Sequence, residues 1–150
     1  MKIRKAKMND SISLSQFNVA HAWEVEGLAL DGNVAHAGVK ALLHDANKGF
    51  YLLAVIEGRC VGSLMITYEW SDWRNANIWW IQSVYVQPDR RKQGVFEELF
   101  FRVEQEAIAA GACALRLYVM HENDIAQSAY QKMGMSAAHY QMFHKSLSTT

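Results

Sequence analysis

Val84-Tyr85-Val86-Gln87-Pro88-Asp89-Arg90-Arg91-Lys92-Gln93-Gly94-Val95-Phe96 decides how this chain is read. An apolar strand runs into the only proline, then into a basic turn with a glycine, then into a helix. Val95, Phe96, Leu99, Phe100, Val103 and Ala107 recur at three-to-four spacing and predict its buried face. Pro88 has no N–H and ends strand pairing. The turn after it leaves the first N–H groups of the helix unpaired, and such an end attracts phosphate. Gly94 lets backbone approach a ligand, and Arg91 and Lys92 add positive charge beside it.

The same residues carry a resemblance. Val86-x-Pro88-x-x-Arg91-x-x-Gly94 resembles motif A of the GNAT superfamily of N-acetyltransferases, where a strand ends in an Arg/Gln-x-x-Gly-x-Gly/Ala turn that holds the pyrophosphate of acetyl-CoA. A second stretch, Asn123-Asp124-Ile125-Ala126-Gln127-Ser128-Ala129-Tyr130-Gln131-Lys132-Met133-Gly134-Met135, is similar to the segment of that family that binds the pantetheine arm. The two matches occur in the family's order and leave room for one helix and one strand between them. The chain departs from motif A at Phe96, where the family has a small residue. The resemblance implies that acetyl-CoA, as co-substrate, meets Val84, Tyr85, Val86, Arg91, Lys92, Gln93, Gly94, Val95, Phe96, Asn123, Ala126 and Tyr130. It gives Tyr130 the catalytic role of acid to the departing thiolate.

Outward from this centre, 150 residues predict one domain, 1–150, large enough to bury a core. Fifteen basic and fifteen acidic residues cancel, which argues against nucleic acid or an anionic membrane as the main partner. No apolar run approaches a membrane span and no signal-peptide core follows Met1, so the expected location is the cytoplasm. Cys60 and Cys113 lie in expected strands without ligand spacing and read as buried, reduced thiols. The six histidines are scattered, and no metal is expected.

In order, the pattern predicts a strand at Ile3 to Ala6, a helix over 11–26 capped by Ser11 or Ser13, and a second helix from Val34 to Ala46 with C-cap chemistry at Asn47-Lys48-Gly49. A hairpin of Phe50 to Ile56 and Cys60 to Tyr68 follows. Next come a polar loop, Glu69 to Asn77, and a strand from Ile78 to Val86. After the central helix come a strand at Ala114 to Val119, a helix from Asn123 to Gly134 and a final strand at Ala137 to Lys145. The order β-α-α-β-β-β-α-β-α-β implies an α/β fold, a mixed sheet with helices on both faces. The resemblance adds a mostly antiparallel GNAT-like sheet and, since relatives often dimerise, a homodimer.

Moving an acetyl group from a thioester to an amine makes three demands. A base must take the amine's proton, a donor must meet the oxyanion, and an acid helps the thiolate leave. Backbone N–H groups around Val84 to Val86 are expected as the oxyanion donor. Gln82 stands where several polyamine-acetylating relatives have a glutamate, and an amide cannot take the proton. The base therefore stays open among Glu69, Asp72, Glu24, Glu26 and a water chain ordered by Gln82 and Ser83. The tryptophan loop resembles that of the diamine and polyamine branch, and Glu69, Trp70, Asp72 and Trp73 suggest an aromatic, acidic pocket for a cationic small-molecule amine, with Glu26, Gln82 and Ser83 nearby. Packing of the tryptophans on the sheet edge explains the same residues equally well.

Overall fold

The alternating apolar runs on either side of Glu57-Gly58 form an antiparallel pair whose turn is left-handed at both positions, φ 51° and 75°. That geometry matches the natural twist of a hairpin. In this computed structural model, which describes residues 1–148, five strands lie in chain order across one sheet: β1 (Lys2–Lys5), β2 (Gly49–Ile56), β3 (Arg59–Ser71), β4 (Ala76–Val86) and β5 (Ala114–Leu117). All neighbours are antiparallel except β4 and β5. The helices are α1 (Ser11–Glu26), α2 (Gly32–Leu43), α3 (Val95–Ala109) and α4 (Asp124–Lys132). None of the described helices is long and apolar enough to cross a membrane. The chain divides into two compact units, Met1–Tyr118 and a smaller one beginning at Val119 that contains α4.

Strand alternation gives the sheet two apolar faces. On one, Tyr51 and Leu53 of β2 pack with Leu14 of α1 and Val39 and Leu42 of α2. On the other lies α3, whose Val95, Leu99, Phe100 and Val103 are almost fully buried. Each such side chain contributes roughly 1.5–3 kcal/mol. Gly62 lets α3 come close, since a Cβ there would lie 3.0 Å from Val95 Cγ1.

Local chemistry moves several boundaries. Asp31 caps α2 by accepting from the N–H groups of Asn33 and Val34 at 2.8 and 3.3 Å, so that helix begins before Val34. It ends at Leu43, and Gly49 opens β2 instead of capping the helix. A Cβ at Gly49 would lie 1.8 Å from the Ile66 carbonyl oxygen, so no other residue fits there. Neither Ser11 nor Ser13 caps α1, because a 3₁₀ turn over Met8–Asp10 feeds straight into it. Asp10 instead accepts from the Arg4 guanidinium at 2.8 and 3.0 Å and from Lys7 N–H at 2.7 Å. These donors, Arg4 foremost, hold its carboxyl below the usual range.

Three expectations are corrected. Ala137 to Lys145 forms no strand, and its Tyr140, Met142 and Phe143 are exposed. A strand needs a ladder partner as well as a suitable pattern. Cys113 is exposed, because it sits in the connection before β5, its N–H donating to the Asn77 carbonyl at 2.9 Å. Only Cys60 is partly buried, and burial pushes its thiol up to about 11. Glu69, Trp70 and Ser71 belong to β3, and Ala76 and Asn77 to β4, so the expected tryptophan loop is a short turn at Asp72–Asn75.

Candidate functional site

β4 carries an irregularity where the sequence reading expected backbone donors. Ser63 of β3 pairs with Tyr85 and Met65 pairs with Gln82, so Leu64 alone opposes Ser83 and Val84. Such a bulge leaves backbone outside the ladder. Ser83 is left-handed at φ 52°, an uncommon state for a residue with a side chain.

Beyond Val86 the chain is braced. Gln87 N–H donates to the Val61 carbonyl at 2.8 Å, and Arg59 donates to Gln87 Oε1 at 2.6 Å and to Asp89 Oδ2 at 3.0 Å. Pro88 opens a 3₁₀ turn through Arg90, with Arg90 N–H on the Gln87 carbonyl at 2.9 Å. Lys92 and Gly94 then turn left-handed, φ 61° and 83°. Gly94 is the N-cap of α3 and offers no side chain to its first N–H groups, while a Cβ at Gly94 would meet nothing within 4 Å. Its positive φ, rather than crowding, is what calls for glycine. The outcome is a helix start approached through two left-handed residues and without a side-chain cap, a form suited to phosphate oxygens. Gln93 is tied to the Asp89 carbonyl at 3.0 Å, Lys92 is exposed, and the half-buried Phe96 ring packs against Phe100 at 5.9 Å.

Arg91 is held in place. Its Nε donates to the Val86 carbonyl at 2.8 Å, one terminal nitrogen meets Glu24 Oε2 at 2.7 Å, and its plane lies 5.5 Å from the centre of the Tyr85 ring. Tyr85 also touches Phe17 and His21 of α1, and its hydroxyl lies 3.5 Å from Glu24 Oε1. Burial pushes the Tyr85 phenol up and the His21 imidazole down, so His21 stays neutral at pH 7. Glu26 is exposed at the end of α1.

A second group lies across β3, β4 and β5. The Trp80 indole donates to Glu69 Oε1 at 2.9 Å, Arg116 reaches Glu69 Oε2 at 3.4 Å, and the Trp80 and Tyr118 rings pack at 4.5 Å. Gln82 donates its amide to Thr67 Oγ1 at 2.6 Å. The expected pocket of Glu69, Trp70, Asp72 and Trp73 does not assemble. Glu69 and Trp70 are successive on a strand and leave on opposite faces. Trp73 is 94% exposed and Asp72 lies exposed in the same turn. The sequence reading missed Trp80, Arg116 and Tyr118, whose one available signal was period-two alternation placing Trp80 and Gln82 on one face.

In the smaller unit, Asn123 caps α4, accepting from Ala126 N–H at 3.1 Å. Tyr130, seven residues on, shares that helix face. Burial pushes its phenol above the ordinary 10.0.

A family model described as "Acetyltransferase (GNAT) family" matches residues 12–135. Thialysine N-epsilon-acetyltransferase from Bos taurus is 32% identical over 79 residues, 52% of this chain, and the chain spans about half of that relative's length, 46%. The Sus scrofa protein of that name is 26% identical over 141 residues, 88% of this chain and 82% of its own. A crystal structure described as "a possible acetyltransferase from Clostridium difficile 630" superposes with a TM-score of 0.91 at 40% identity, covering 97% of both chains.

Proposed function

This chain belongs to the GNAT acetyltransferase family, and from that premise we propose that it moves an acetyl group from acetyl-CoA to the primary amine of a small cationic or amino-acid-like acceptor by direct transfer. The observation that carries the reading is the pair of left-handed residues, Lys92 and Gly94, ahead of the uncapped first turn of α3. Those backbone donors suit the cofactor's pyrophosphate, with Arg91 adding charge. Acetyl-CoA supplies the activated thioester. The bulged backbone at Ser83 to Val86 supports a role as oxyanion donor. Tyr130 donates its phenolic proton to the leaving sulfur, and burial keeps that proton on at neutral pH.

The cluster of Glu69, Trp80 and Tyr118 supports this acceptor class, because a carboxylate beside aromatic faces suits an ammonium group. The relatives named for thialysine, an amino acid with a distal amine, support the same class. Gln82 donates its amide to Thr67 and leaves proton removal to ordered water or to a carboxylate of this region. In this reading residues 1–150 work as one catalytic domain.

The test is thiol release from acetyl-CoA against polyamines, diamines, thialysine, other amino acids, aminoglycosides and lysine peptides, with Tyr130→Phe alongside. Release with a small amine, lowered about 100-fold in turnover by Tyr130→Phe, is expected. The wild-type rate has an alkaline limb above pH 10, where the raised phenol ionises, and that limb is absent from Tyr130→Phe. Release with lysine peptides alone favours a protein acetyltransferase; silence with CoA still bound favours a non-catalytic CoA-binding domain.

A further inference from the structure

Glu24 stands in the last turn of α1 with Glu26 close by, and that turn holds no basic residue. A helix C-terminus carries partial negative charge, so both carboxylates are poorly placed for their own helix. Glu24 is offset by one cation from 67 residues away, the Arg91 guanidinium at 2.7 Å. His21, on the same helix and against Tyr85, is held neutral by burial and supplies no countercharge. Arg91 meanwhile spends its Nε on the Val86 carbonyl and lays its plane toward Tyr85. One of the two terminal nitrogens that a phosphate would take is the one that Glu24 holds.

We propose that the Glu24–Arg91 ion pair is a latch opened by the cofactor. Phosphate displaces the carboxylate from Arg91, and the freed Glu24, beside Tyr85, becomes an anionic partner for the acceptor's ammonium group. The inference rests on the reading of Arg91 as a phosphate contact. It makes Glu24 a competitor of acetyl-CoA and an ally of the amine, and through this residue cofactor binding prepares the acceptor side.

The test is titration of CoA into wild type, Glu24→Gln, Arg91→Ala and the double variant. Glu24→Gln is expected to bind CoA roughly two- to fivefold more tightly, the span of an exposed ion pair, and that gain disappears in the Arg91→Ala background. In steady state the same substitution raises KM for the amine that scores in the thiol-release panel while KM for acetyl-CoA falls, whereas a merely structural role would worsen both. Should the glutamine variant fold poorly, Glu24→Asp keeps the charge but shortens its reach, and also tightens CoA. Unchanged or weaker CoA binding by Glu24→Gln, with Arg91→Ala still impaired, overturns the latch and spares the phosphate reading. Full CoA affinity in Arg91→Ala removes the phosphate reading and the latch with it. If no amine scores, the CoA titration alone decides.

Discussion

Two turns bound β4, and they differ in what they are made of. The one before it, Asp72–Asn75, is flanked by residues that look functional on paper, two tryptophans and two acids, yet Trp73 stands almost wholly in solvent and alternation sends Glu69 and Trp70 to opposite faces. The one after it, Gln87–Gly94, asks little of its side chains beyond Arg91 but aims backbone: left-handed at Lys92 and Gly94, open above the glycine and leading into a helix with no side-chain cap. Side-chain chemistry makes a site only where the fold converges it. Backbone chemistry makes one wherever the local φ/ψ sequence is right, and that is far easier to read from residues.

The contrast is sharpest at Arg91. Arg91→Ala is expected to weaken CoA binding roughly tenfold to 100-fold, since charge-assisted hydrogen bonds are worth about 1.5–3 kcal/mol. An unchanged affinity in titration would break the distinction from the first turn. Gly94→Ala comes next. Placing a Cβ at φ 83° costs about 1–2 kcal/mol, visible as a lower Tm and weaker CoA binding. Gln93→Ala, next door and tied to the Asp89 carbonyl, stays within about 0.5 kcal/mol. Equal losses at Gly94 and Gln93 would show that side chains rather than backbone hold the turn.

On the acceptor side the expected effects are smaller. Glu69→Gln should raise the amine's KM up to about fivefold with acetyl-CoA's KM unmoved, because it removes one partly exposed carboxylate from the Trp80 and Arg116 cluster. Trp73→Ala should leave both KM values alone and change stability by less than about 0.5 kcal/mol. A Trp73 effect as large as that of Glu69 would reinstate the first turn as part of the acceptor site.

What was legible follows the same division. The strand, proline, glycine and helix order around Pro88 is local, and the structure keeps it nearly residue for residue. Asn123 as the start of α4 was equally local, a side chain bonding three residues on. The Glu24 contact with Arg91 spans 67 positions and the Glu69 contact with Arg116 spans 47, and nothing in composition or spacing announces either. The stretch 137–145 fails for a related reason. Its residues tolerate a strand, but a strand exists only where another chain segment is offered to it. Cys113 shows how one position matters, since β5 opens at Ala114 as expected and the cysteine just outside it is exposed.

Arg59, at the end of the β2–β3 hairpin, grips Gln87 and Asp89 from about thirty positions upstream. The disorder that a free loop would surrender on meeting its ligand has therefore been surrendered during folding. In a calorimeter, CoA should meet this turn with a small conformational entropy penalty, and cutting the grip with Arg59→Ala should leave the bound contacts intact while making association entropically steeper.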